Sequence, residues 1–91
     1  MPAKQVIYSG HVQGVGFRYT VKRIASGYEV TGWVKNLPNG NVQVLAISET
    51  EAELEAFLLA ISESALGGNI KDSVAEDITE TSEVKGFSIV H

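Results

Sequence analysis

The segment Gly10-His11-Val12-Gln13-Gly14-Val15-Gly16 separates two stretches of different hydrophobic period, and that switch constrains the fold more than any other feature. Before it, over residues 4–10, Val6 and Tyr8 alternate with Gln5, Ile7 and Ser9, the period of two that a strand imposes. After it, Phe17, Val21, Ile24, Ala25 and Tyr28 fall at i, i+4, i+7, i+8 and i+11, one apolar stripe of a helix. The chain must therefore leave a strand, turn through glycines and enter a helix within a few residues. Gly27 stands where a C′ glycine would end that helix.

Residues 29–36 and 41–48 are rich in β-branched and aromatic side chains and read as strands, joined by Leu37-Pro38-Asn39-Gly40. Proline fixes φ and Asn-Gly tolerates φ > 0, so the two strands form a hairpin. A second helix is expected from near Thr50, with Glu53 completing a capping box and Leu54, Phe57, Leu58, Ile61 and Ala65 as the buried stripe. Glu49, Glu51, Glu53 and Glu55 crowd its first turns, where the helix dipole favours negative charge, so this run needs no partner. Gly67-Gly68-Asn69 stops the helix, residues 70–79 hold a strand, and residues 86–90 a short last one. The order β-α-β-β-α-β-β predicts a ferredoxin-like α/β sandwich of the α+β class, two helices packed on one face of a four- to five-stranded antiparallel sheet. At 91 residues, 44% hydrophobic and 20% charged, residues 1–91 are expected to form a single domain.

Composition removes several kinds of chemistry. With no cysteine there is no disulfide, no thiolate nucleophile and no Cys-based metal site, and His11 and His91 are too few for a multi-histidine cage. The longest apolar run, Ala56-Phe57-Leu58-Leu59-Ala60-Ile61, is far short of the ~20 residues of a membrane span, and no apolar signal core follows Met1. A cytoplasmic location, no membrane partner and a monomer are the expectation. Charge is split: residues 1–48 carry +4 and residues 49–91 carry −8, within a net −4. A small anion is drawn to the first half, whereas a nucleic-acid backbone is repelled by the second.

The glycine-rich turn can converge successive N–H groups on one point, and the helix that follows adds its positive dipole end. Arg18, in the first helical turn, brings a planar fork of donors that matches a phosphate edge. On the turn alone, a tight strand–helix connection with a solvated arginine accounts for the same residues. Three phosphate signatures fail against it. A Walker loop would need glycine at Val15 and lysine at Gly16, a dinucleotide fingerprint would need glycine at Tyr19, and a phosphatase cysteine loop has no cysteine.

Gly10-His11-Val12-Gln13-Gly14-Val15-Gly16-Phe17-Arg18 reads G-x-V-Q-G-V-x-F-R and resembles the first signature of the acylphosphatase family. Gly32-Trp33-Val34-Lys35-Asn36-Leu37-Pro38-Asn39-Gly40-Asn41-Val42 is similar to that family's second, G-[aromatic]-V-K-N-x-x-x-G-x-V. Both lie on the expected elements, and the resemblance covers essentially the whole chain. It departs where the family usually carries a glycine after the valine at 42: Ser48 stands there, at a strand–helix junction it could cap.

The resemblance implies hydrolysis of the carboxyl–phosphate anhydride of small acyl phosphates, with water as co-substrate and neither cofactor nor metal. It implies that Arg18 and backbone N–H groups of Gln13, Gly14, Val15, Gly16, Phe17 and Arg18 hold the phosphoryl group, and that Asn36 positions the attacking water. A carboxylate leaving group needs little protonation, which suits a site without a general acid. Phe17 and Trp33 are read as packing residues that shape the site wall, and Tyr19 as lining it. His11 is read as a solvent-facing strand end, Lys35 and Arg23 as solvated charges with anion steering as the alternative.

Two other readings bear on the same residues. Lys85-Gly86-Phe87-Ser88-Ile89-Val90 faintly resembles an RNA-recognition signature, but Ser88 and Ile89 break it and it falls on the last strand rather than the third. A non-catalytic module binding phosphate or carbamoyl phosphate, as in acylphosphatase-like domains of larger maturation enzymes, is the second.

Overall fold

The computed structural model describes residues 1–79 and 84–91. Its elements are β1 (Ala3–Gly10), α1 (Phe17–Ala25), β2 (Val30–Asn36), β3 (Val42–Ser48), α2 (Glu51–Glu63), a 3-10 turn (Ala65–Asn69), β4 (Ile70–Asp77) and β5 (Phe87–Val90). The five strands form one sheet in the order β4-β1-β3-β2-β5. On one face, Val6, Tyr8, Val34, Val42 and Val44 meet Phe17, Val21 and Ala25 of α1 and Leu54, Phe57 and Ile61 of α2 in a single buried cluster. Each such burial contributes about 1.5–3 kcal/mol. Phe57 is central: its ring centroid lies 6.1 Å from Tyr28 and 5.6 Å from Phe87, joining both helices' ends to β5.

The ferredoxin-like layout is as expected, and the sheet differs in one respect. β1 pairs antiparallel with β3 and β4, and β2 with β3, but β5 pairs parallel with β2, so the sheet is mixed. β4 runs opposite to β1 and β2, whereas β5 runs with β2, and Val90 pairs with Lys35, beside Asn36.

Local details also depart from the sequence reading. Gly27 sits at C′ of α1 but is not among the glycines with positive φ. The helix instead tightens, with Ser26, Gly27 and Tyr28 N–H groups donating to the carbonyls of Arg23, Ile24 and Ala25. The α2 capping box is half formed. Thr50 Oγ1 accepts from the Glu53 N–H at 3.2 Å, while the Glu53 carboxylate accepts from the Glu29 N–H at 2.9 Å and ties α2 to the start of β2. α2 ends at Glu63, capped by Ser64, so Ala65 is exposed and Leu66 is the buried residue of the following turn. Ser48 caps nothing; it is buried, and its hydroxyl donates to the Glu29 carbonyl at 2.9 Å. The residue that replaces the family's glycine thus has its polar group satisfied inside the β2–β3 junction. No helix among the described residues is long and apolar enough to cross a membrane.

Candidate active site

The loop between β1 and α1 is fixed at both ends. At Gly10, φ is +119°, and a Cβ there would stand 2.6 Å from the Asn69 carbonyl and the Lys71 N–H, so only glycine admits β4 this close. The His11 N–H then donates to the Asn69 carbonyl at 2.9 Å, leaving the His11 side chain exposed and outside the site, as expected. Val12 is fully buried and anchors the loop in the core. Gly14 and Gly16 adopt φ of 78° and 76°, with open space where a Cβ would be, so the demand on both is conformational rather than spatial.

Among the described residues, no acceptor engages the N–H groups of residues 13–16. α1 begins at Gly16 with no side-chain cap and no acid in its first turn, so its positive end is uncompensated. Arg18 projects from that turn. Its Nη1 donates to the Val90 carbonyl at 3.2 Å and lies 3.4 Å from Nδ1 of His91. Both N–H groups of Nη1 are thus directed at the end of β5, and the three on Nη2 and Nε remain for an anion.

Asn36 ends β2, where the hairpin turns through hydrogen bonds from Leu37 N–H to the Asn41 carbonyl (2.8 Å) and from Gly40 N–H to the Leu37 carbonyl (3.1 Å). The Gln13 carboxamide joins this turn to the glycine loop: Nε2 donates to the carbonyls of Leu37 and Asn41, both at 2.8 Å. Asn36 and Arg18, eighteen residues apart, thereby line the same cavity of about 290 Å³, together with Val12, Gly14, Gly16, Phe17, Tyr19, Ile89 and His91. The side chain of Asn36 has no hydrogen-bond partner among the described residues. Among the described residues, no aspartate or glutamate is on the wall. A cavity with an arginine, free amides, a helix N-terminus and no acid is built for a compact oxyanion.

Of the residues singled out from sequence, Gly14, Gly16, Phe17, Arg18 and Asn36 come together here, and so does Tyr19. Gln13 and Val15 are not on the wall: Gln13 turns its side chain to the hairpin, and Val15 packs against the core. Trp33 is a correction. It points to the face of β2 opposite the buried Val34, beneath the Lys35 ammonium at 5.2 Å, and does not shape the site. Ile89 and His91 are residues that sequence reasoning missed. Their only signal is the direction of β5, which brings its last residues to the Asn36 end of the sheet.

Fold and cavity together define a small ferredoxin-like domain with a glycine-rich strand–loop–helix at one end, chemically suited to an anion. The profile of the Acylphosphatase family matches residues 4–89. An acylphosphatase of Methanospirillum hungatei is 43% identical over 89 residues, covering 98% of this chain and 93% of that protein, and one of Bacillus subtilis is 37% identical over 90 residues, covering 96% and 94%. The crystal structure of the Bacillus subtilis acylphosphatase superposes with a TM-score of 0.90, at 34% identity and full coverage of both chains. A crystal structure of HypF from T. kodakarensis contains a similar region (TM-score 0.83, 27% identity), which covers all of this chain and 12% of that one. The chain belongs to the acylphosphatase family.

Proposed function

We propose that residues 1–91 act as one acylphosphatase domain that hydrolyses small acyl phosphates to a carboxylate and inorganic phosphate. The observation that carries this reading is that the Arg18 guanidinium, the unengaged loop amides and the free Asn36 carboxamide converge on one acid-free cavity. The phosphoryl oxygens rest against the amides of Gly14, Gly16, Phe17 and Arg18 and the Arg18 fork, which oppose the charge carried by the loose transition state. Oδ1 of Asn36 accepts a hydrogen bond from the nucleophilic water and aims it at phosphorus in line with the leaving group. A neutral carboxamide is no base, so its part is orientation. As the new P–O bond forms, the bond to the acyl oxygen breaks and its electron pair departs on the carboxylate. The proton of the water passes to a phosphate oxygen. Every group in this path is water, substrate or a residue of the cavity.

The same reading takes the protein to be a cytoplasmic monomer that meets neither membrane nor nucleic acid, the last point supported by the −8 on residues 49–91. The alternative reading is a module that binds phosphate or carbamoyl phosphate without turning substrate over, since a similar region forms 12% of the larger HypF chain. Hydrolysis of benzoyl phosphate by the purified chain, with a chelator present, separates them. Turnover is expected; inorganic phosphate binding with no turnover selects the second reading.

A further inference from the structure

Beside the catalytic cavity lies a second hollow, also about 290 Å³, which shares Tyr19 and Ile89 with it and is completed by Lys22, Arg23 and Ser26. Tyr19, Lys22, Arg23 and Ser26 stand at i, i+3, i+4 and i+7, so they form one stripe of α1, and Ile89 of the adjoining β5 closes the other side. The Ser26 hydroxyl already donates to the Arg23 carbonyl at 2.6 Å and is not free for a ligand. What the hollow offers is an apolar wall, Tyr19 and Ile89, leading from the phosphate cavity to two cations.

Those cations are unusual here. Lys4, the other basic residue at a helix–sheet boundary, reaches carboxylates of Glu51, Glu55 and Asp77. Lys22 and Arg23 are exposed, and neither side chain has an ion pair or hydrogen bond among the described residues. Basic residues in the last turn of α1 do suit its dipole. That explains their place along the helix, but not why they fall on the stripe that borders the catalytic cavity.

We propose that this hollow receives the acyl part of the substrate, and that Lys22 and Arg23 favour acyl phosphates whose acyl chain ends in a second anion, such as monophosphorylated dicarboxylic acids. The proposal rests on the phosphoryl group occupying the Arg18 cavity. From Arg18, Lys22 and Arg23 lie about 6 and 7.5 Å along the helix axis. A carboxylate held by two methylenes from the anhydride carbon spans a comparable distance. Its methylenes then lie against Tyr19 and Ile89, whereas an acetyl group leaves the hollow unfilled.

Succinyl and butyryl phosphate provide the test, since both acyl chains have four carbons and they differ at the far end by carboxylate against methyl. The ratio of their kcat/KM values is measured for the wild type and for Lys22→Gln/Arg23→Gln, with binding of the corresponding non-hydrolysable acylphosphonates measured by calorimetry. Two exposed charge pairs imply a succinyl preference of about three- to tenfold, lost in the double variant. The preference also shrinks with added salt. A wild-type ratio near one, or a ratio that the double variant leaves within about twofold, overturns the subsite while turnover of both acyl phosphates leaves the acylphosphatase reading standing. If neither acyl phosphate is hydrolysed, the acylphosphatase reading falls, and the phosphonate ratio alone decides the subsite: preference lost in the variant supports it, no preference ends it.

Discussion

Arg18 and Asn36 share a cavity but meet different demands, and their substitutions separate accordingly. In the proposed mechanism the guanidinium holds the phosphoryl group in the ground state and opposes charge in the transition state. Arg18→Ala is therefore expected to lower kcat/KM by at least the ~10²–10³ typical of one preorganised donor, and to abolish competitive inhibition by inorganic phosphate. In that mechanism Asn36 touches only the water. Asn36→Ala should reduce kcat by a similar factor while leaving the inhibition constant of phosphate nearly unchanged, the pattern of a group used in the transition state alone. Steady-state kinetics with benzoyl phosphate reads both, and full turnover by Asn36→Ala would remove the water-positioning role. Both residues were legible in the sequence, because each occupies a fixed place in a motif whose spacing reflects local backbone geometry. His91 was not. Its ring stands 3.4 Å from Arg18 Nη1 only because of a pairing between distant strands.

The unit that makes the site is two connections, the glycine loop and the β2–β3 hairpin turn, and Gln13 is the side chain that joins them. Removing it leaves the Leu37 and Asn41 carbonyls short of a donor and frees the turn that carries Asn36. Gln13→Ala is expected to destabilise the fold by about 1–3 kcal/mol and to lower kcat more than it raises KM. Gln13→Glu should be worse than alanine on both counts, since a carboxylate cannot donate and would face two carbonyl oxygens. Thermal denaturation and benzoyl phosphate kinetics on both variants test this, and a glutamate variant that matched the wild type would show that the two hydrogen bonds do not hold the turn. The periodicities of β1, α1 and α2 and the Pro-Asn-Gly turn made the elements readable. The direction of β5 was not, because Phe87, Ser88, Ile89 and Val90 have the same alternation whichever way they run. Trp33 was misassigned for a related reason: its motif position says nothing of which face of the sheet it takes.

At the scale of the whole molecule, two protonated groups connect the sheet to its neighbours, and both lose their proton only in alkali. Tyr8 is buried on the helix-covered face of β1, its ring centroid 5.3 Å from Phe17, and burial pushes its phenol above its ordinary value of 10.0. Lys4, two turns of the pleat earlier, is held above its ordinary 10.5 chiefly by its 2.8 Å hydrogen bond to Asp77, with Glu51 and Glu55 adding attraction across to α2. In each case the folded chain keeps a proton that the unfolded chain releases at lower pH. The stability they contribute is thus complete below about pH 10 and declines as pH rises beyond it. For Tyr8 the cause is burial, which disfavours the charged phenolate on a residue only 4% exposed. Melting temperatures measured from pH 8 to pH 11.5 should fall steeply above pH 10 in the wild type. Tyr8→Phe keeps the ring and removes the proton, so its melting temperature should fall less over the same interval, and Lys4→Met should flatten the curve by a smaller amount because its carboxylate partners are exposed. Parallel curves for the wild type and Tyr8→Phe would mean that the alkaline loss arises elsewhere in the fold.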